Sequence, residues 1–318
     1  MNILISCAGR QIPLVRAFVE ALGGRGRVVA ADSNAAAPAL QAADARFVSP
    51  PVSSPDHPGW FFDICMREEI GLAMSLLVDE LQRVEPICAR LAAIGCRLAG
   101  APLAAIGIAQ DKLLTAQFCD MHNVGRPRFW TAETAREADV FPLIAKPRAG
   151  RGSRGQRRVE SMTVLAALLG ELGADASGFV FQEIVEGEEY GLDIVNDLEG
   201  RYCTTFMRRK LAMKNGETDR AVTVGDPQLE ALGRKLGETL CHRGPLDADV
   251  IRQGDTLCLL DLNIRFGGGY MFSHVAGADL PAAMVAWALG KAPEPQWLQP
   301  RIGVAGERRN GIVELSQV

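Results

Sequence analysis

The sequence predicts a mixed α/β and α+β protein whose N-terminal part is a small open parallel sheet. Short apolar strands alternate with helices of period near 3.6 through the first third of the chain, a pattern typical of parallel sheets covered by helices. The 318 residues are enough for two or three packed units with a sizeable core. A composition of 48% hydrophobic and 23% charged residues is that of an ordinary globular protein.

The N-terminus predicts a βαβ unit. Asn2 to Ser6 is an apolar strand, Ile12 to Leu22 is an amphipathic helix, and Arg27 to Ala31 is a second strand that ends at Asp32. An acid at this place binds ribose in dinucleotide-binding folds. The first turn nevertheless has only Gly9 where G-x-G-x-x-G is required. A nicotinamide- or flavin-dependent oxidoreductase is therefore disfavoured, although it stays an alternative.

The rest of the chain continues with helices and strands of similar length, without an internal repeat. Further helices are predicted over residues 36–45, 61–69, 83–94, 111–122, 162–172, 227–242 and 282–289. Further strands are predicted over 46–48, 71–78, 97–100, 143–145, 179–182, 191–195, 203–206, 248–251, 257–260 and 311–315.

Charge and cysteine usage exclude several classes of partner. A net charge of −4 and a pI near 5.7 give no general surface for nucleic acid. No apolar run approaches the ~18 residues of a membrane span, and no signal peptide is recognisable. The eight cysteines form no C-x-x-C pair and the four histidines have no ligand spacing. We expect a cytoplasmic protein with reduced thiols.

The stretch Leu259 to Gly269 carries the strongest chemical pattern. Asp261, Asn263 and Arg265 stand at alternate positions, and alternate side chains of a strand share one face. A carboxylate and an amide oxygen suit Mg²⁺, and a guanidinium suits a phosphoryl group or a carboxylate. The three glycines that follow allow close backbone approach to a ligand, or positive φ. A polar edge strand with a Gly-rich turn explains these residues equally well.

A second pattern is the strand that delivers Lys146, followed by a loop with glycines and arginines that ends at Gly155. Backbone N–H groups of such a loop can surround phosphate oxygens while the cations neutralise their charge. The loop does not match a Walker sequence. A solvated basic hairpin is the structural alternative.

With these stretches in one order, the chain resembles the ATP-grasp superfamily, and within it the carboxylate–amine ligases of the carbamoyl-phosphate synthase large-subunit type. The matching segments are Asp111-Lys112, the Lys146 strand and loop, residues 182–190 and residues 261–269. The resemblance implies an ATP-grasp fold behind an N-terminal pre-ATP-grasp domain. We expect that domain over residues 1–108, a lid subdomain with the glycine-rich loop over 109–182, and a C-terminal subdomain with the metal site over 183–318.

The resemblance also assigns roles to individual residues. Nucleotide contacts are expected from Lys112, Lys146, Gly152, Ser153, Gly155, Gln182, Glu183, Val185 and, on the ribose, Glu189. Metal ligation is expected from Asp249, Asp261 and Asn263, and Arg265 and Lys146 are the expected catalytic residues. Arg208, Arg209 and Arg220 lie where relatives bind substrate. The family usually has Glu-x-Asn-Pro-Arg, so Asp261 and Ile264 are departures.

The implied activity is an ADP-forming ligase that joins a small carboxylate to an amine through an acyl phosphate, with ATP and Mg²⁺, or Mn²⁺ in its place. No nucleic acid or membrane partner is expected, and a homodimer is the default assembly. Because Asp261 is shorter than the usual glutamate, a catalytically weakened protein that binds ATP for regulation or as a scaffold is the main alternative.

Overall fold

The computed structural model describes residues 1–150, 155–214, 216–308 and, for the backbone alone, 312–314. The chain divides into two compact units. The first unit consists of Met1–Ile106, Gly191–Asp247 and Asn263–Val318, and the second of Gly107–Tyr190 and Ala248–Leu262. The predicted division into three domains stays a prediction.

The N-terminal part of the first unit is the parallel sheet that the sequence predicts. Its strands are β1 (Asn2–Ser6), β2 (Val28–Asp32), β3 (Ala45–Val48), β4 (Ile70–Ser75) and β5 (Arg97–Ala99). Its helices are α1 (Ile12–Leu22), α2 (His57–Arg67), α3 (Val78–Val84), α4 (Cys88–Ala93) and α5 (Leu103–Gln110), the last of which crosses into the second unit. The strand order is β3-β2-β1-β4-β5, and every neighbouring pair is parallel.

Helix α1 illustrates how the sequence produces this unit. Leu14, Val15, Phe18 and Leu22 recur near period 3.6, and all four are buried. Gly23 then ends the helix with a left-handed φ of 52°, which glycine adopts without steric cost. The buried face joins strands β1, β2 and β4 and the helix Leu280–Ala288 in one apolar cluster of the first unit.

A four-stranded antiparallel sheet forms the main part of the second unit. It contains β6 (Phe129–Thr131), β7 (Leu143–Pro147), β8 (Arg157–Val159) and β9 (Phe179–Glu183), in the order β6-β9-β7-β8. Helices α6 (Lys112–Met121) and α7 (Met162–Leu172) accompany it. Trp130, Leu143, Val159, Leu165 and Phe181 belong to its buried core.

The remaining strands form a seven-stranded sheet with the order β14-β13-β10-β11-β12-β15-β16. These strands are β10 (Glu188–Asn196), β11 (Tyr202–Lys214), β12 (Glu217–Thr223), β13 (Gly244–Gln253), β14 (Thr256–Asn263), β15 (Ala305–Arg308) and β16 (Ile312–Glu314). The last three helices are α8 (Pro227–Leu240), α9 (Tyr270–Val275) and α10 (Leu280–Ala288). Among the described residues, no helix is long and apolar enough to cross a membrane.

Three predicted elements differ from the structure in extent or type. Residues 36–45 form only a 3₁₀ turn, Pro38–Ala42, because an alanine-rich segment without an apolar period has little to bury along one face. The strand expected over 71–78 ends at Ser75. The helix expected over 83–94 begins earlier as α3 and is interrupted by the 3₁₀ segment Glu85–Ile87, where Pro86 lacks the backbone donor that a helix interior needs.

Candidate functional site

Lys146 lies near the end of β7, and its ammonium group is held by a neutral partner. Its Nζ donates to Oε1 of Gln182 over 2.6 Å, and strand pairing places Ile144 opposite Gln182. Burial lowers the pKa of Lys146, nearby Asp261 opposes that shift, and Lys112 adds to it. Among the described residues, Lys146 therefore feels the charge of Lys112 and has no salt bridge to a carboxylate.

Lys112 is placed by the first turn of α6. Asp111 caps this helix by accepting from the Leu113 amide at 2.9 Å, and it also pairs with Arg148 at 2.6 Å. The Lys112 backbone amide donates to the Arg148 carbonyl, and its Nζ donates to the Gly150 carbonyl at 3.2 Å. These bonds connect the N-terminus of helix α6 to the segment Arg148 to Gly150, which follows Lys146 in sequence. No sequence pattern indicates this connection, because Asp111 and Arg148 are 37 residues apart.

Asp261 and Asp249 lie on neighbouring strands, β14 and β13. Burial raises the pKa of Asp261, the two lysines Lys112 and Lys146 oppose the shift, and the negative charge of Asp249 adds to it. Neighbouring carboxylates gain from a cation between them, because the cation offsets their mutual repulsion. A bound cation would therefore stabilise the charged forms of Asp261 and Asp249.

These oxygen donors fit Mg²⁺. Asp261 and Asn263 stand two residues apart near the end of β14, so their side chains fall on one face of the strand. Within the described part of the chain no cluster of three or more His, Cys, Asp or Glu side chains could hold a metal by itself. Mg²⁺ does not require one, since it keeps several waters and binds through one or two carboxylates together with substrate phosphates.

A cleft lies in the second unit, beside Lys112 and Gln182. The other lining residues are Thr115, Ala116, Cys119, Arg126, Pro127, Phe129, Val180, Leu259 and Leu260. Seven of its eleven lining residues are apolar, and Lys112, Thr115, Arg126 and Gln182 supply the polar groups. This is the usual composition of a site for a planar organic group with a charged extension.

Gln182, which lines this cleft, lies near the end of β9 and leads into the segment before β10. Gln182 and Glu183 are still paired with β7, and the Glu183 amide donates to the Arg128 carbonyl at 3.0 Å. The Glu183 side chain also accepts from the Arg128 amide at 2.6 Å. Val185 follows before β10 begins, and nucleotide contacts from Gln182, Glu183 and Val185 stay predictions. Glu189 is half-buried near the start of that strand.

The glycine-rich loop is described only in part. Gly152 and Ser153 lie outside the described residues. Gly155 has a φ of 73°, and a side chain there would come within 3.1 Å of Pro147. Glycine at this position allows the chain to turn back closely on the end of β7.

Arg265 belongs to the first unit and follows β14. Its Nη1 donates to the Phe266 carbonyl at 2.8 Å, and its Nη2 lies 3.4 Å from Oδ1 of Asn263. In the described parts of the chain it has no carboxylate partner. It lines a cleft together with Met74, Ser75, Ala99, Gly100, Arg243, Pro245, Ile264 and Phe266. A half-buried guanidinium without a carboxylate partner is suited to an anionic ligand.

Arg243, the second arginine of this cleft, is already neutralised. Its Nη2 donates to both carboxylate oxygens of Glu85, at 2.6 and 2.8 Å. Its Nε donates to the Leu98 carbonyl at 3.1 Å. Arg265 is therefore the arginine of this cleft whose charge is available to a ligand.

The three arginines predicted to bind substrate have different surroundings. Arg208 is 1% exposed and pairs with Asp193 and Asp247, so its placement favours an internal role over the predicted substrate contact. Arg209 is half-buried on the same strand. Arg220 is exposed on β12 opposite Glu307. Substrate binding by Arg209 and Arg220 stays a prediction.

Comparison with known proteins agrees with the residue patterns. The model of the PylC-like N-terminal domain matches residues 3–99, and that of the ATP-grasp domain in the biosynthetic pathway with Ter operon matches residues 176–307. The chain belongs to the ATP-grasp superfamily, whose members are ATP-dependent ligases. Residues 3–99 are thus similar to the N-terminal domain of PylC-like proteins, and residues 176–307 are similar to the ATP-grasp domain of the Ter-operon pathway. A search of curated protein sequences gives no match.

Solved structures show the same fold at low sequence identity. Biotin carboxylase from Campylobacter jejuni aligns with a TM-score of 0.74 and 18% identity, over 96% of this chain and 74% of that one. N5-carboxyaminoimidazole ribonucleotide synthetase from Thermus thermophilus gives 0.75 and 18%, over 96% and 82%. L-amino acid ligase from Bacillus licheniformis gives 0.70 and 16%, over 96% and 78%. The fold class predicted from the sequence is confirmed.

Proposed function

We propose that the protein is an ATP-dependent carboxylate–amine ligase. A carboxylate oxygen of the substrate attacks the γ-phosphorus of ATP, which gives ADP and an acyl phosphate. An amine then attacks the acyl carbon, phosphate leaves with the original carboxylate oxygen, and the amine loses a proton to give an amide. The supporting observation is the grouping of Lys112 and Lys146 with Asp249 and Asp261.

This grouping suits phosphoryl transfer, which depends on positioning and on charge neutralisation. The lysines would contact the triphosphate, whose negative charge opposes the effect that lowers the pKa of Lys146. Asp249, Asp261 and Asn263 would hold Mg²⁺, or Mn²⁺ in its place. When bound, the ion neutralises phosphate oxygens and opposes the effect that raises the pKa of Asp261.

The nucleoside would occupy the cleft of the second unit. Its apolar walls suit an adenine ring, and the backbone near Val185 would meet the ring edge. Glu189 would accept from the ribose hydroxyls. Gly152, Ser153 and Gly155 belong to the loop that would contact the phosphates.

Arg265 would hold the substrate carboxylate and then the acyl phosphate. This role depends on the charge of the guanidinium, which has no acidic partner in the described residues and lines a cleft whose other arginine, Arg243, is paired with Glu85. One structural neighbour is named an L-amino acid ligase, a name that fits this chemistry. A small carboxylic acid with an amine acceptor is therefore the substrate pair we propose. A cytoplasmic location, supported by eight free cysteines, and a homodimer complete the proposal.

Hydroxylamine trapping tests this function even while the natural amine is unidentified, because hydroxylamine takes the place of the amine. The protein is incubated with Mg-ATP, hydroxylamine and pools of small carboxylic acids, including amino acids, and acyl hydroxamate and ADP are measured. We expect equal amounts of both with at least one pool. Arg265→Met and Lys146→Met should abolish the product. Arg234→Met, which changes an exposed arginine of α8 paired with Glu238, should not.

The contradicting outcomes are distinct. If ATP binds but no pool gives hydroxamate, the protein is an ATP-binding regulator or scaffold and the ligase proposal fails. If hydroxamate forms and persists in both site variants, the reaction stands and the site assignment is wrong.

A further inference from the structure

The glycine triplet Gly267 to Gly269 lies directly on charged side chains of the protein's own core. A Cβ atom on Gly269 would stand 2.2 Å from Nε of Arg208, and one on Gly267 would stand 2.2 Å from Oδ1 of Asp247. None of the three glycines has a positive φ. The first and third glycines are therefore required by close packing against buried ions.

Arg208 is the centre of this buried network. Its Nη1 donates to Oδ2 of Asp193 at 2.6 Å, and its Nη2 donates to Oδ1 of Asp247 at 2.9 Å. On its other side, a Cβ atom at Gly191 would come within 2.7 Å of the guanidinium. The group is thus enclosed between the backbones of Gly191 and Gly269.

The network also reaches the helix that follows the triplet. Ser273 in α9 donates from its Oγ to Oδ2 of Asp193 at 3.0 Å, the oxygen that Arg208 also contacts. One arginine therefore connects strands β10, β11 and β13 with the triplet and with α9. Arg308 adds a contact from β15 by donating to the Gly268 carbonyl at 2.7 Å.

The residues on either side of the triplet are anchored by aromatic packing. Phe266 packs edge-on against Phe18 with ring centroids 5.8 Å apart, and against Tyr270 at 4.9 Å. The Tyr270 hydroxyl donates to the Ala278 carbonyl at 3.0 Å. Arg265 is thus followed directly by a residue, Phe266, that is held by aromatic contacts on both sides.

A buried ion pair is costly to desolvate and often contributes little net stability, so its benefit here lies in geometry. We propose that Arg208 is a positioning residue, which holds the segment Arg265 to Gly269 so that the Arg265 guanidinium points to the substrate carboxylate. Its catalytic consequence rests on the proposed ligase function, whereas its effect on the segment does not. Methionine would fill the space without pairing Asp193 and Asp247, and lysine would keep the charge without the planar fork.

Hydrogen exchange tests the positioning directly. The Tyr270 amide donates to the Gly267 carbonyl, and the Phe272 amide donates to the Gly269 carbonyl, so both amides report on this segment. In Arg208→Met we expect both to exchange at least tenfold faster while amides of β7 and β9 keep their rates. Arg208→Lys should give a smaller increase of the same kind.

The glycines supply a matched pair of variants. Gly269→Ala should increase exchange in the same way, because its methyl group meets the guanidinium. Gly268→Ala should not, because the nearest atom to its Cβ is 3.7 Å away. Leu236→Ala, which removes a fully buried side chain of α8, controls for a general loss of stability. Equal exchange in Gly268→Ala and Gly269→Ala, or a local effect in Leu236→Ala as large as in Arg208→Met, would overturn the proposal.

The hydroxamate assay tests the catalytic consequence. Arg208→Met should lower kcat at least tenfold while the Kd for Mg-ADP stays within twofold, because the nucleotide cleft belongs to the second unit. A change in Mg-ADP affinity of the same size as the change in kcat would contradict a positioning role. If wild-type protein gives no hydroxamate, the ligase function fails, and the exchange measurements still decide whether Arg208 positions the segment.

Discussion

The ammonium group of Lys146 and the amide oxygen of Gln182 are 2.6 Å apart, in a hydrogen bond that joins β7 to β9. A neutral acceptor orients the lysine and leaves its charge for a ligand. Gln182 carries no negative charge to balance the ammonium group of Lys146. We propose that the phosphates of ATP provide that charge.

Two substitutions of Gln182 distinguish its effect on the orientation of Lys146 from the effect of the charge next to Lys146. Gln182→Leu removes the acceptor, so we expect a loss of about 1–3 kcal/mol in unfolding free energy and weaker ATP binding. Gln182→Glu pairs the lysine with a carboxylate, so the protein without ligand should be at least as stable as wild type while ATP binding again weakens. Chemical denaturation and nucleotide titration measure both quantities. Tighter ATP binding in Gln182→Glu would contradict this use of the lysine.

We expect the carboxylate of Asp261 to lower the stability of the protein without ligand and to be required for Mg²⁺-dependent nucleotide binding. Because burial raises its pKa in the folded state, the stability associated with its protonation is present at low pH and is lost as the pH rises through the folded pKa. Asp261→Asn removes this loss, so the variant should be more stable than wild type near neutral pH and lose most of its Mg²⁺-dependent nucleotide affinity. Thermal denaturation from pH 4 to 8, without nucleotide, gives the comparison. A variant less stable than wild type across this range would show that the carboxylate is stabilising.

Asp261→Glu tests the shorter acid at this position. If a longer carboxylate reaches the ion better, the variant should bind Mg-ATP at least as tightly as wild type and keep its turnover. Mg²⁺ titration at fixed ATP, with hydroxamate formation as readout, measures this. Complete inactivation would mean that the site has adapted to aspartate.

The pH dependence of nucleotide binding should have two limits. At low pH, protonation of Asp261, whose pKa burial raises, should weaken binding of the Mg²⁺ complex. At high pH, Lys146 loses its proton below the usual lysine range, because burial lowers its pKa, and phosphate binding weakens. Titration of Mg-ADP from pH 4 to 10 measures both limits, and Asp261→Asn should remove the acidic one. Affinity independent of pH over this range would refute the assignment of both groups.

The Asp111–Arg148 connection predicts a difference between two replacements. Burial alone would raise the pKa of Asp111, but hydrogen bonds from Arg148 and from the Leu113 amide lower it. Asp111→Ala loses cap and ion pair, and we expect a cost of about 1–2 kcal/mol together with weaker ATP binding through displacement of Lys112. Asp111→Asn keeps the cap and should cost less than about 1 kcal/mol. Equal losses in the two variants would show that the cap contributes nothing.

Much of the fold was predictable because local patterns determine it. The alternation of apolar strands with amphipathic helices such as α1 predicts the N-terminal parallel sheet. Where periodicity was weak, as around Pro38, prediction failed. The extent of hairpin β11–β12 was also missed, because many of its positions are polar or half-buried and show no clean alternation.

The site was less accessible from the sequence. Lys146, Asp261 and Arg265 stood out because each follows or ends an apolar strand. The supporting pairs are long-range: Arg208 meets Asp247 across 39 residues, and Arg243 meets Glu85 across 158. The prediction that Arg208 contacts substrate has the same limitation, because the sequence around a basic residue of a strand does not indicate which carboxylates surround it in the fold. The glycines of the triplet suggested close approach to a ligand or a positive φ, whereas Gly267 and Gly269 approach buried side chains and none of the three has a positive φ.

Oxygen transfer tests the central claim most directly. Once a carboxylate has been found by hydroxylamine trapping, the same acid is prepared with ¹⁸O in its carboxyl group and incubated with the protein, Mg-ATP and hydroxylamine. If an acyl phosphate forms, one ¹⁸O atom must pass from the carboxylate to each phosphate released, and mass spectrometry of the phosphate detects it. Phosphate without label, together with ADP, would mean that water and not the carboxylate attacks ATP, and the ligase account would be wrong.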